Sequence, residues 1–220
     1  MDGMTKEKWR AFSPAEKREY IWDYYKVHII VALVVVLLLG SIVGDLIAYR
    51  EPHLEVIMVN SRTGSKGQAG FHEFLQQQGL ETFDNCVALM DSFYINTETG
   101  EELLNSMEQL EALYAVTAAG KQDVLFDTEV FLNQCAKSGT LLDLSTVLTA
   151  EDLERYGEHL VYTTEDDTCD AYPCAVRFKG NAWIAANGYY GANGAMAIFE
   201  GTDDFELSVA FLRYYLSHFE

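Results

Sequence analysis

The chain has 220 residues, 34 acidic against 15 basic, for a formal charge of -19 at neutral pH. Residues 1–26 hold six Lys/Arg and five Asp/Glu, whereas residues 51–220 hold eight and 28, a formal -20 on the globular part. Such a domain repels phosphate backbones and anionic lipid heads at long range, which excludes a nucleic-acid partner.

The first strong signal is an apolar run. Ile29 to Gly44 carries no charge, and Leu46, Ile47, Ala48 and Tyr49 extend it past the single interruption at Asp45. Some 20 to 22 residues rising about 1.5 Å each match a hydrocarbon core of about 30 Å, so a transmembrane helix is expected over residues 27–49. Tyr20, Trp22, Tyr24, Tyr25 and Lys26 before it, and Tyr49 and Arg50 after it, are the amphipathic rings and cations that favour the headgroup layer. A cleaved secretory signal is the competing reading. The long leading tail, the crowded aromatics and the lack of a clean small-x-small site weigh against it. Six basic residues before the helix, against Arg50, Arg62 and Lys66 just after it, place the N-terminus in the cytoplasm. Within the tail, Ser13-Pro14-Ala15-Glu16 is an N-cap, a first-turn proline and a capping-box acid, so a short helix leads into the membrane.

Glu51-Pro52 opens a new regime. Residues 54–59 (LEVIMV) suit a buried strand, followed by the polar loop 60–67 and a helix over 69–78 stopped by Gly79. A strand at 87–93 and a turn at 97–100 precede the clearest helix, 101–119, with Thr99 and Glu102 as capping box and Leu103, Met107, Leu110, Tyr114 and Thr117 along one face. Residues 123–126 form a short strand, and Thr128 opens a helix that ends at Gly139. This βαβαβα order predicts α/β architecture, a mainly parallel sheet covered by helices on both faces. Further on, Thr149 to Asp152 is a second capping box, 159–163 and 173–178 are strands joined by an acidic loop, and 181–187 is a helix or turn. A strand at 195–199 precedes a final helix capped by Asp203, with Leu207, Ala210, Phe211 and Tyr214 on its buried face. The expected domains are a tail at 1–26, the membrane helix at 27–49 and one extracytoplasmic α/β domain at 50–220.

Few residues suggest chemistry. The loop 60–67 lies where open α/β sheets bind ligands, which makes Ser61 and Arg62 ligand-contact candidates against a plain solvated turn. Asp127 and Thr128 hold the corresponding position after the third strand, where Thr128 is equally explained as a helix cap. Cys169 and Cys174 close a tight loop, and an extracytoplasmic location permits a disulfide between them. Cys86 and Cys135 read as core thiols, with a second bridge as the alternative. Glu165, Asp166 and Asp167 lack EF-hand spacing and read as a hydrated turn. With neither HExxH nor GxSxG present, neither an enzyme nor a cofactor or metal is expected.

The second half also carries a resemblance. Asp123-Val124-Leu125-Phe126, then Thr128-Glu129-Val130-Phe131 and Gly139-Thr140-Leu141-Leu142-Asp143-Leu144, are similar to extracellular solute-binding proteins of bacterial ABC transporters. Ala195-Met196-Ala197-Ile198-Phe199 followed by Ala210-Phe211-Leu212-Arg213-Tyr214-Tyr215-Leu216 resembles their closing strand and helix. The N-terminal pattern, Ser13-Pro14 and then residues 20–26 before a membrane helix, resembles small single-pass proteins of Gram-positive bacteria, especially Clostridia. The resemblance covers about half the chain. It implies a three-layer domain similar to one lobe of a periplasmic-binding-protein fold, tethered outside the cell and binding a small molecule or peptide. About 170 residues are short for two lobes, so the alternative is a structural or interaction protein whose partner is another membrane or envelope protein.

Overall fold

The computed structural model describes residues 6–61, 67–95, 107–119, 122–164, 170–191 and 193–219. Its contacts divide the chain into two compact units, Met1–Arg50 and Glu51–Glu220.

The first unit is two helices, α1 (Lys6–Ala11) and α2 (Pro14–Ala48). At the start of α2 the Ser13 hydroxyl accepts from Glu16 N at 3.3 Å, and Ser13 N donates to the Glu16 carboxylate at 2.7 Å. These two bonds make the capping box expected from the sequence, and they hold the Glu16 carboxyl below its usual range. From there α2 runs unbroken for 35 residues, about 52 Å, so the lead-in and the apolar segment are one helix. Residues Tyr25–Gly44 have a mean hydropathy of 2.8 and none is buried in the protein. A helix apolar on all sides and covered by nothing has no core to face, and this one is long enough to cross a membrane.

The second unit is a three-layer α/β domain, as the strand and helix order predicts. Its elements are β1 (Leu54–Met58), α3 (Ala69–Gln77), β2 (Val87–Met90), α4 (Met107–Ala119), β3 (Val124–Asp127), α5 (Glu129–Lys137), α6 (Ala150–Arg155), β4 (Leu160–Tyr162), β5 (Pro173–Arg177), α7 (Ala182–Asn187), β6 (Ala195–Ile198) and α8 (Phe205–Leu216). They build one six-stranded sheet in the order β2-β1-β3-β6-β5-β4. β1 pairs parallel with both β2 and β3, as helical crossovers require, giving the sheet its parallel core. β6 pairs antiparallel with β3 and with β5, and β4 pairs antiparallel with β5. The carboxyl ends of β1, β2, β3 and β5 therefore meet the amino ends of β4 and β6 along one edge.

Alternation along the strands divides the core in two. Val56 and Met58, Val124 and Phe126, and Met196 and Ile198 face α3, α7 and α8, where Phe71, Phe74, Trp183, Tyr189, Phe211 and Tyr215 pack. Ile57, Leu125 and Ala197 face α4 and α5, against Leu113, Phe131, Leu132 and Cys135. Aromatic contacts bind the first layer: Phe71 lies edge-on to Trp183 at 5.2 Å and stacks on Tyr189 at 5.9 Å. Each such ring contributes about 1.5–3 kcal/mol by leaving water.

Two local expectations change, and a third is decided between its two alternatives. On α4 the buried positions are Leu113 and Thr117, with Leu110 and Val116 partly covered, whereas Met107 and Tyr114 are exposed. The helix is turned so that the Tyr114 ring meets Phe131 from the rim at 5.8 Å. The cap of α8 is Asp204, whose carboxylate accepts from Leu207 N at 3.0 Å, and not Asp203. Cys86 and Cys135 are buried free thiols in the two different core layers, so the sheet separates them and no bridge joins them. Residues 96–106, with the Thr99–Glu102 capping box and Leu103, lie outside the described residues.

Candidate functional site

The common edge of the sheet is where side chains of differing chemistry converge. Asn60 and Ser61 follow β1, Asp127 ends β3 with Thr128 and Glu129 beyond it, and Arg177 ends β5 with Lys179 just after. Glu158 precedes β4, and Asn193 and Gly194 precede β6, which run the other way and so begin at this edge.

Each sequence-stated candidate has a definite place or lies outside the description. Ser61 is 4% exposed, and its hydroxyl has no hydrogen-bond partner among the described residues. Arg62 falls outside the described residues. Asp127 is 2% exposed, and one carboxylate oxygen accepts from Thr128 N at 2.6 Å. Its charge is felt nearby. Burial, followed by the charges of Asp127 and Asp91, pushes the Tyr190 hydroxyl well above its usual pKa. Burial, with Asp127 adding to it, pushes the Cys135 thiol up to about 12. The Thr128 hydroxyl accepts from Phe131 N at 3.4 Å and so serves as the α5 cap. Cys174 is buried on β5, its Sγ 3.5 Å from the Val161 carbonyl, while Cys169 and Glu165, Asp166 and Asp167 lie outside the described residues.

Asp127 and Thr128 share the edge with a group of residues that the sequence did not single out. Arg177 donates through Nε to Glu129 Oε1 at 2.9 Å and through Nη2 to Oε2 at 3.2 Å. Its Nη1 donates to the carbonyls of Glu158 at 3.1 Å and Leu160 at 2.7 Å. Four of the five guanidinium donors are thus spent on a forked clip that ties α5, β5 and the approach to β4 together. Lys179 forms no ion pair among the described residues. The signal for this cluster was present in the sequence: Arg177 is one of only eight cations in residues 51–220 and closes an otherwise apolar strand, PCAVR.

Around these side chains lie two adjoining concavities that share Lys179. One, of about 500 Å³, is lined by Thr128, Glu129, Glu158, Arg177, Lys179 and Asn193. The other, of about 430 Å³, runs between Phe178, Ile184 and Tyr190, where the Phe178 and Tyr190 rings stack at 4.6 Å. Both fall within the size range of small-molecule sites, one polar and one walled by aromatic faces.

Backbone features hold this edge in shape. Gly194 has φ of +114°, and a Cβ there would lie 2.5 Å from the Phe178 ring and 2.8 Å from the Asp127 carbonyl oxygen. Only glycine lets β6 enter so close to β3. Asn60 sits at φ of 56°, its amide donating to the Ile95 carbonyl at 2.6 Å and accepting from Ile95 N at 2.9 Å. This clamp ties the segment after β1 to the segment after β2. The Tyr189 hydroxyl donates to the Gly67 carbonyl at 2.9 Å and accepts from Gly70 N at 3.2 Å, pinning the first turn of α3.

The fold and edge define a three-layer α/β domain, joined in sequence to a helix long enough to span a membrane. No protein-family model and no curated protein matches the chain. Among solved structures it is similar to the crystal structure of a "putative oligosaccharide periplasmic-binding protein" from Synechococcus sp. MITs9220, at 15% identity and a TM-score of 0.36 over 56% of this chain. The matched part spans 26% of that protein's length.

Proposed function

We propose that the chain is a membrane-anchored binding module without catalytic activity, its N-terminus cytoplasmic, held by residues 27–49, with residues 50–220 outside the cell taking a small polar molecule or a peptide. The observation that carries this reading is the concavity of about 500 Å³ at the edge where the strands of an open α/β sheet end, lined by a mixture of neutral and charged groups. Glu129 and Arg177 are closed on each other, which leaves neither poised as a general base or acid. Ser61, Asp127 and Thr128 belong to the same strand ends and, together with Arg62, which lies outside the described residues, are assigned to ligand contact or to its support. In an oxidising compartment Cys169 and Cys174 form a disulfide that ties the loop before β5.

A second reading, an envelope protein that docks another protein, is supported by Met107 and Tyr114. They lie seven positions apart on α4, and each is more than 40% exposed. A thermal-shift panel on the detergent-solubilised full chain separates the two. A ligand that binds only the folded state raises stability by about 2.7 kcal/mol at a hundredfold excess over Kd, or about 5–10 °C for a domain of this size. A concentration-dependent rise with a sugar, amino acid or short peptide supports the binding module. No rise with any member of the panel contradicts it and leaves the docking protein.

A further inference from the structure

Two Asn-Gly steps lie on either side of the Tyr189-Tyr190 pair, Asn187-Gly188 and Asn193-Gly194. An asparagine followed by glycine is poorly protected, because the next backbone nitrogen has no neighbouring Cβ to shield it. That nitrogen loses its proton and attacks the side-chain carbonyl carbon, expelling ammonia and closing a five-membered imide. Water then opens the imide at either carbonyl, leaving aspartate or isoaspartate, with no oxidant or reductant involved. Both steps read Ala-Asn-Gly, so the sequence ranks them alike. Their surroundings do not.

Asn187 closes α7, and its Nδ2 donates to the Trp183 carbonyl at 2.9 Å. Gly188 N donates to the Ile184 carbonyl at 3.0 Å and completes the helix cap, with Gly188 at φ of +66°. A Cβ on Gly70 would lie 2.7 Å from the Asn187 amide, so the start of α3 packs directly on that side chain. Closing an imide at Asn187 therefore breaks two hydrogen bonds and displaces a packed group. Asn193 differs at each point. Its side chain is exposed, and neither its amide nor Gly194 N makes a hydrogen bond among the described residues. The step is anchored on its far side, where Gly194 O accepts from Phe178 N at 2.9 Å, which leaves the reacting nitrogen unengaged. Contact with the Phe178 ring and the Asp127 carbonyl demands glycine at 194, so packing of the edge itself keeps the vulnerable pair in place.

We propose that Asn193 is a site of spontaneous deamidation and that Asn187 is spared. Reaction at Asn193 adds a carboxylate to the concavity of about 500 Å³, where Glu129 and Glu158 otherwise balance Arg177 and Lys179. The isoaspartate product also lengthens the main chain by one methylene, immediately before the close approach at Gly194. The modification thus changes both the charge and the backbone of the edge as the protein ages. The test is peptide mapping of the detergent-solubilised full chain, held at mildly alkaline pH and sampled over time, with fragmentation that tells isoaspartate from aspartate. In the folded chain Asn193 is expected to convert at least about tenfold faster than Asn187, since the imide at Asn187 forms only after two hydrogen bonds break. In the urea-unfolded chain the two are expected to convert at similar rates, because both then sit in the same Ala-Asn-Gly setting. Asn187 also serves as the internal control, since conversion through global unfolding would take both residues together. Equal rates in the folded chain, or faster loss at Asn187, overturn the proposal. So does an Asn193 that stays intact in the folded chain over the time in which the unfolded chain converts.

Discussion

Gly194 shows how one residue shapes the common edge of the sheet. A methyl group there meets a ring and a backbone carbonyl below 3.0 Å, and the positive φ adds strain that no L side chain relieves. Gly194→Ala is expected to cost about 2–3 kcal/mol in urea unfolding, a loss near the range for overpacked or strained sites. A loss under about 0.5 kcal/mol, the scatter of surface changes, would show that β6 can withdraw from β3. At this scale the sequence was legible in part. Thr128 was open as a ligand contact or a helix cap, and the structure gives it the cap. Arg177 and its clip were missed because a guanidinium declares nothing until the partners brought to it by β4 and α5, 17 and 48 positions away, are known.

At the scale of elements, most helices and strands follow from capping boxes, glycine stops and apolar runs. Their arrangement follows less directly. The βαβαβ portion reads as parallel because each crossover contains a helix, but nothing local tells that β6 inserts between β3 and β5. That placement is set by pairing across about seventy residues, Val124 with Ile198 and Asp127 with Ala195. The face of α4 was misjudged for a related reason. Apolar side chains occur on more than one side of that helix, so packing into the cluster of Ile57, Leu125 and Leu132, and not its own pattern, set the buried stripe at Leu113.

Asp123 makes the link between these elements testable. Buried at 3% exposure, its carboxylate accepts from Glu55 N at 2.7 Å and from the Thr202 hydroxyl, which in turn lies 2.9 Å from Ser208 Oγ on α8. Burial raises the Asp123 pKa above its usual value despite these bonds. A raised folded-state value favours the protonated form. The stability contribution is therefore fully present below the unfolded value of about 3.9 and is lost as pH rises through the folded value. Stability of the wild type relative to Asp123→Asn is expected to fall between pH 4 and pH 7, read by urea midpoints across that range, above the usual carboxylate value of about 3.9. A difference that stays constant, or that grows with pH, would contradict the raised value.

For the whole molecule, an apolar stretch with no buried residue, Tyr25–Gly44, precedes an acidic α/β domain. The residues around Lys179, gathered from four separate stretches, were not legible as a concavity, because only the antiparallel entry of β4 and β6 brings Glu158 and Asn193 to the ends of β3 and β5. This edge is the proposed ligand site. Its most direct test is calorimetric titration, with whichever compound shifts the melting midpoint, of the wild type and of Asn193→Trp, an exposed position whose enlarged side chain fills the concavity without entering the core. Binding by the wild type and at least about tenfold weaker binding by the variant, a loss of about 1.4 kcal/mol, are expected, with an unchanged unfolding midpoint in the absence of ligand. Equal affinity in the two proteins would contradict it, because the ligand would then sit elsewhere.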